Sequence, residues 1–267
     1  MYRLLAIDLD GTLLTPHKLI TPRTRDLLCQ VSETGIAIVI ATGQTSQVLR
    51  HECGALPLTA PQIIENGAIV VDIRSGTILH EKLIPEEQIL PTLDILRSFD
   101  LHRAYHTYER VYVDKNTPRA KKWYRPPVPP AIEVEDVASL YPQRCIKVAG
   151  IGDAETLRDK RQELERIFAG KLYVTQSSFD IIEFLHPEVS KGNALKAIAA
   201  DLGIAPQEVV AIGDNHNDIG MIRFAGLGVA MGNAHDEVKA AADYVTRSNA
   251  EEGVAVVIEK LILSSLR

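Results

Sequence analysis

A chain of 267 residues exceeds the usual span of one hydrophobic core, so a second lobe is expected. Hydrophobic residues at 46% and charged residues at 24% describe an ordinary globular protein and exclude disordered and fibrous classes. The formal net charge of −6 argues against a general grip on nucleic acid, which rests on clustered Lys and Arg.

Residues 2–9 open with Leu4, Leu5, Ala6 and Ile7, an apolar run suited to a buried parallel strand. Thr21 and Pro22 then supply an N-cap and a first-turn proline, Leu27, Leu28 and Val31 recur at helical spacing, and Gly35 is the stop. Residues 36–41 read as a second strand, 46–53 as a second helix and 62–65 as a third strand. This βαβαβ order implies right-handed parallel crossovers. After Asn66-Gly67 a hairpin is expected, with arms 68–73 and 77–83 about Arg74-Ser75-Gly76. A region of different character follows: a helix at 85–99, paired strands within 103–115 and a proline-rich extended connector at 125–130. A strand at 145–150, a charged amphipathic helix at 154–168 and a strand pair at 171–176 and 180–185 complete it. From Ser190 the alternation returns: helix 191–202, strand 209–212, a helix from 218, strand 227–230, helix 236–242 and a last helix from 253. The predicted class is α/β: a doubly wound, Rossmann-like parallel-sheet core, residues 1–83 and 188–267, with an inserted α+β domain at 84–187.

No apolar run nears the roughly 20 residues that cross a bilayer. The N-terminal apolar stretch is too short for an export signal, so a cytoplasmic protein without membrane partners is expected. Cys29, Cys53 and Cys145 are widely spaced and lack a CxxC pair, which fits reduced thiols and gives no zinc signature.

Ligands of open α/β sheets bind beyond the carboxyl ends of strands, so the residues following each core strand carry the information. They are Asp8-Leu9-Asp10-Gly11-Thr12, Thr42-Gly43 and Gly213-Asp214-Asn215-His216-Asn217-Asp218. Asp8 and Asp10, two apart in extended chain, can point to one face. With Asp214 and Asp218 they would form a crowd of carboxylates that resists joint ionisation, and a hard divalent cation with oxygen ligands, Mg²⁺, relieves it. Such a cation would also offset repulsion between an anionic nucleophile and a phosphoryl group. Taken singly, each motif has a plainer alternative. Asp-x-Asp-Gly can be a turn, Thr42-Gly43 a helix cap, and Lys191 a solvated surface charge.

Together, Asp8-Leu9-Asp10-Gly11-Thr12-Leu13-Leu14, Ala41-Thr42-Gly43, Ser190-Lys191-Gly192 and Gly213-Asp214-Asn215-His216-Asn217-Asp218-Ile219-Gly220-Met221 resemble the haloacid dehalogenase superfamily in order and spacing. The position of the insert and Glu65-Asn66-Gly67-Ala68 resemble its Cof-type sugar-phosphatase branch. The resemblance implies a Mg²⁺-dependent phosphatase of small phosphorylated metabolites, sugar phosphates or pyridoxal phosphate, working through an aspartyl-phosphate. By it Asp8 is the nucleophile and Asp10 the general acid and base. Asp8, the backbone carbonyl of Asp10 and Asp214 hold Mg²⁺, with Asp218 as a further ligand or a support for the others. Thr42, Gly43, Lys191 and Asn217 hold the phosphoryl group. The insert becomes a cap that selects the leaving group, with His102, Tyr105, His106, Tyr108, Arg110, Lys121, Trp123, Tyr124 and Arg125 as candidate contacts. Gln44 departs from the pattern, standing where this branch usually has Arg; a neutral amide cannot make the bidentate contact of a guanidinium. His216 reads as a loop residue. A phosphohexomutase-type phosphotransferase and a non-catalytic metabolite-binding module are the alternatives, whereas a dehalogenase would leave Asp10 without a task. Monomer and homodimer both remain open.

Overall fold

The computed structural model describes residues 1–178 and 180–266. The chain begins with β1 (Leu4–Asp8), α1 (Pro22–Glu33), β2 (Ala37–Ala41), α2 (Ser46–Cys53), β3 (Gln62–Ile64), β4 (Ile69–Val71) and β5 (Ile78–Glu81). It continues through α3 (Glu86–Ser98), β6 (His102–His106), β7 (Val111–Val113), α4 (Pro118–Trp123), β8 (Ile132–Glu133), β9 (Lys147–Ile151), α5 (Ala154–Ile167), β10 (Tyr173–Ser178) and β11 (Ile181–Leu185). It ends with α6 (Lys191–Asp201), β12 (Val209–Gly213), α7 (Ile219–Phe224), β13 (Leu227–Ala230), α8 (Asp236–Ala240), β14 (Tyr244–Val245) and α9 (Gly253–Val257). Two units result, Met1–Glu81 with the chain from Ser190 onward, and Lys82–Val189. Among the described residues no helix is long and apolar enough to cross a membrane.

The first unit is built on an eight-stranded sheet in the order β14-β13-β12-β1-β2-β3-β4-β5. Strands from β14 to β3 run parallel, and β4 and β5 add an antiparallel edge. All five residues of β1 are buried, as a strand covered on both faces requires. Leu4 and Ala6 join Val39 and Ala41 of β2, Leu195 and Ile198 of α6 and Met221 of α7 in one apolar cluster. Leu5 and Ile7, on the opposite pleat, are equally buried. Helix α1 starts as its sequence dictates: the Thr21 side chain accepts the Thr24 N–H, Pro22 opens the first turn, and Gly35 at φ 85° follows the end. Pairing Ile7 with Ile212 and Asp8 with Ala41 brings the carboxyl ends of β12, β1 and β2 level. The polar residues that follow these strands therefore emerge at one edge.

The second unit carries a six-stranded sheet ordered β10-β11-β9-β6-β7-β8, antiparallel except for the β7–β8 pair. Leu93 and Leu96 of α3 and Leu157 and Leu164 of α5 pack with Tyr105, Val148 and Phe184 in its main cluster. Helix α3 passes through Pro91 without ending, whereas α4 begins at Pro118 under a Thr117 cap that accepts the Ala120 N–H. Neither α4 nor the two-residue strands β8 and β14 was expected from the sequence.

Candidate active site

Asp8 is the last residue of β1 and is buried. Opposite it begins α6, whose N-cap Ser190 accepts the Asn193 N–H at 3.0 Å. Lys191, the first residue of α6, is also buried, although a cation at a helix N-terminus opposes the helix dipole. What it meets explains its place: Lys191 Nζ donates to Asp8 Oδ1 at 2.5 Å and to Asp218 Oδ1 at 2.7 Å. Burial by itself pulls the ammonium pKa down, but Asp218 and Asp8 outweigh it and hold the group above its ordinary value, firmly charged. Gly192 lets α6 approach α7, since a Cβ there would lie 2.5 Å from the Gly220 backbone.

The loop after β12 is tied by Asp218, whose Oδ2 accepts the backbone N–H of Asp214 at 3.0 Å and of Asn215 at 2.9 Å. Gly213 is required beneath it, because a Cβ would fall 2.4 Å from that of Asp218. The Thr12 hydroxyl donates to Asp214 Oδ1 at 2.8 Å. Gly11, at φ 85°, leaves room for the same carboxylate, whose Oδ2 would lie 2.4 Å from any Cβ at that position. The result is an acidic triad, Asp8, Asp214 and Asp218, with one carboxylate oxygen from each within 4.8 Å of the others.

Three carboxylates face the single ammonium of Lys191, so their joint ionisation leaves negative charge in excess. Burial, and then the Asp218 charge, push the Asp8 pKa well up. Burial is likewise the main cause of the raised pKa of Asp214, reinforced by Asp218 against the lowering effect of the Thr12 hydroxyl. A bound cation would relieve the charge excess that this site resists. Its oxygen-only donors suit a hard divalent ion. Both Asp218 oxygens are already engaged by Lys191 and the two loop amides. Asp8 and Asp214 are therefore the side chains best able to hold the ion.

Asp10 lies beyond β1 with its side chain 35% exposed. Lys18 Nζ reaches its Oδ1 at 2.6 Å and Gln44 Nε2 its Oδ2 at 2.9 Å. Thr42 is buried and its hydroxyl accepts the Gln44 N–H at 3.0 Å. The 42–44 segment is fastened to the end of β3 by Asn66 N–H to Thr42 O at 3.0 Å and Glu65 N–H to Gln44 O at 3.1 Å. Glu65 and Asn66 both adopt left-handed backbone, at φ 51° and 59°. Asn217 Nδ2 donates to Asn66 Oδ1 at 2.9 Å, and Asn217 Oδ1 is buried without a hydrogen-bond partner. Gly43 sits against Asn66, whose Oδ1 would be 2.8 Å from a Cβ at residue 43.

All the residues predicted for the core site thus occur in one unit, around the ends of β1, β2 and β12 and the start of α6. Sequence reasoning gave no role to Lys18, in the stretch between the first strand and the first helix, and none of its own to Asn66, which entered only as part of the Glu65-Asn66-Gly67-Ala68 resemblance. His216 is exposed and opens the short 3-10 turn His216–Asp218 after β12, its ring tilted against that of His235 at 4.9 Å. Among the candidate contacts in the insert, Tyr105 is a correction: it is fully buried in that unit's core and its hydroxyl donates to Gln143 O. A strand aromatic reads alike whichever face it takes, and the register puts Tyr105 inward. His106 and Tyr124 are buried against each other, with His106 Nε2 2.9 Å from the Tyr124 hydroxyl. His102, Tyr108 and Trp123 are half-buried, and Arg110, Lys121 and Arg125 are exposed.

Residues 5–258 match the haloacid dehalogenase-like hydrolase family. The 5-amino-6-(5-phospho-D-ribitylamino)uracil phosphatase YcsE of Bacillus subtilis is 32% identical over 263 residues, covering 98% of this chain and 96% of the relative. The pyridoxal phosphate phosphatase YbhA of Escherichia coli is 31% identical over 274 residues, covering 96% of this chain and 97% of its own. A solved haloacid dehalogenase-like hydrolase from Bacteroides thetaiotaomicron superposes with a TM-score of 0.88 at 30% identity, covering 98% of this chain and 100% of that one.

Proposed function

The chain belongs to the haloacid dehalogenase-like hydrolase family and is a phosphatase; from that premise we propose that it cleaves small phosphorylated metabolites in two displacements on Asp8. The observation that carries this reading is the triad of Asp8, Asp214 and Asp218 about Lys191, with Asp8 and Asp218 buried and Asp214 half-buried, which combines a carboxylate nucleophile with oxygens that could hold a cation.

In the first displacement an Asp8 carboxylate oxygen bonds to phosphorus, the bond to the leaving oxygen breaks, and Asp10 gives that oxygen its proton. In the second, Asp10 takes a proton from water, the water oxygen bonds to phosphorus, and the bond to Asp8 breaks. Lys191 orients Asp8 by holding Oδ1. Thr42, the Gly43 amide, Lys191 and Asn217 are assigned to the phosphoryl oxygens, where a positioned donor is typically worth about 10² to 10³ in rate. Hydrolases of this family generally use Mg²⁺; here Asp8, the Asp10 carbonyl and Asp214 would hold it, with Asp218 as their support. Bound there, the ion supplies charge that screens the nucleophile from the phosphoryl group and polarises the latter.

The two phosphatase relatives are named for 5-amino-6-(5-phospho-D-ribitylamino)uracil and for pyridoxal phosphate, which supports small phosphorylated metabolites as the substrate class. Choice among them is assigned to the inserted unit. The test is release of phosphate from p-nitrophenyl phosphate by the purified protein with and without Mg²⁺, beside Asp8→Asn. Turnover by wild type that needs Mg²⁺ and vanishes in Asp8→Asn supports the reading; an inactive wild type at saturating Mg²⁺ contradicts it.

A further inference from the structure

Both oxygens of the Asp10 carboxylate are taken by side chains from separate turns of the first unit, Lys18 at 2.6 Å and Gln44 at 2.9 Å. Each turn is built to deliver its residue. Lys18 holds φ 58°, a left-handed backbone that non-glycine residues seldom adopt, in a turn closed by Lys18 N–H to Thr15 O at 2.8 Å and Thr15 N–H to Leu19 O at 3.0 Å. Gln44 is fixed at both backbone atoms, its N–H to Thr42 Oγ1 and its carbonyl to the Glu65 N–H. We propose that Gln44 and Lys18 are positioning residues for Asp10, and that Gln44 governs how basic a leaving group the enzyme can expel. The inference rests on the phosphatase reading above, in which Asp10 is the proton donor.

An amide N–H on Oδ2 and an ammonium on Oδ1 together fix the plane of the Asp10 carboxyl group, and each carboxyl oxygen keeps a second lone-pair direction for the proton it exchanges with the leaving group. Proton delivery matters in proportion to the basicity of the departing oxygen: p-nitrophenolate leaves readily without it, and phenolate leaves poorly. Loss of the Gln44 contact should therefore fall unequally on two esters of nearly the same shape.

The test compares kcat/KM, which reports the first displacement, for p-nitrophenyl phosphate and phenyl phosphate at saturating Mg²⁺. Gln44→Met keeps the bulk of the side chain. It is expected to reduce kcat/KM about tenfold more on phenyl phosphate than on p-nitrophenyl phosphate, a fraction of the roughly 10² to 10⁴-fold contribution of general acid–base catalysis. Lys18→Met, at a residue 62% exposed, should give the same inequality with a smaller size, and Lys18→Arg should restore it. Equal losses on the two esters in either variant would overturn the proposal. If Gln44→Met melts early, the Lys18 variants decide alone by the same criterion. Wild type that hydrolyses neither ester would defeat the phosphatase reading itself, whereas active wild type with uniform losses defeats only this inference.

Discussion

The two units each bury a lysine against a carboxylate, and the two pairs differ in what surrounds them. In the insert, Lys147 Nζ meets Glu183 Oε1 at 2.5 Å, with side chains 6% and 5% exposed, on neighbouring strands of one sheet. In the core, Lys191 meets Asp8 and Asp218 at comparable depth, but Asp214 stands beside them and the acids outnumber the base. One cation facing one anion is an arrangement a fold can keep for its own packing. A surplus of buried carboxylates is one it keeps only if something else supplies positive charge. Charge balance, rather than burial, separates the structural pair from the site.

The largest effect expected from this contrast is catalytic. Lys191→Met should lower kcat for p-nitrophenyl phosphate by about 10² to 10³, while Lys147→Met should change it by less than about threefold, as steady-state kinetics would report; similar losses in both would erase the distinction. Next comes stability. Lys147→Met strands a buried carboxylate and should cost about 3–5 kcal/mol in denaturant unfolding, whereas Lys147→Met with Glu183→Leu should recover most of it. A smaller effect sharpens the cation argument. Asp8 and Asp214 have pKa values raised by burial, so without metal the folded state holds these protons more tightly than the unfolded state. Their contribution to stability is therefore lost as pH rises from the ordinary carboxylate range through their raised values. Bound Mg²⁺ requires both ionised, so its increase in Tm should grow from acid to neutral pH; a shift independent of pH would speak against these ligands. Smallest is Ser190→Ala, which removes the cap of α6 and should cost about 1 kcal/mol in the same unfolding assay.

Much of the fold was legible because the core strands are apolar throughout. β1, β2 and β12 read as continuous buried runs, and α1 carries its cap, proline and glycine in the expected places. What escaped notice was too short to carry a period. Helix α4 has six residues, and β8 and β14 have two each and exist only through register with β7 and β13. At the site, Asp8, Thr42 and Asp214 stood out by following strands and Lys191 by opening a helix. Lys18 and Asn66 did not, because their placement depends on left-handed backbone at φ 58° and 59° that a sequence pattern does not announce. Tyr105 misled for a related reason: its chemistry was plain, and only the pairing of β6 with β7 and β9 fixed the face it takes.

The claim on which the rest depends is that Asp8 becomes covalently phosphorylated. Borohydride added to a reaction quenched during turnover reduces an acyl phosphate to the alcohol, so peptide mass spectrometry should find homoserine at residue 8, dependent on substrate and Mg²⁺. Reduction at a different aspartate in an active enzyme, or normal turnover by Asp8→Asn, would contradict it.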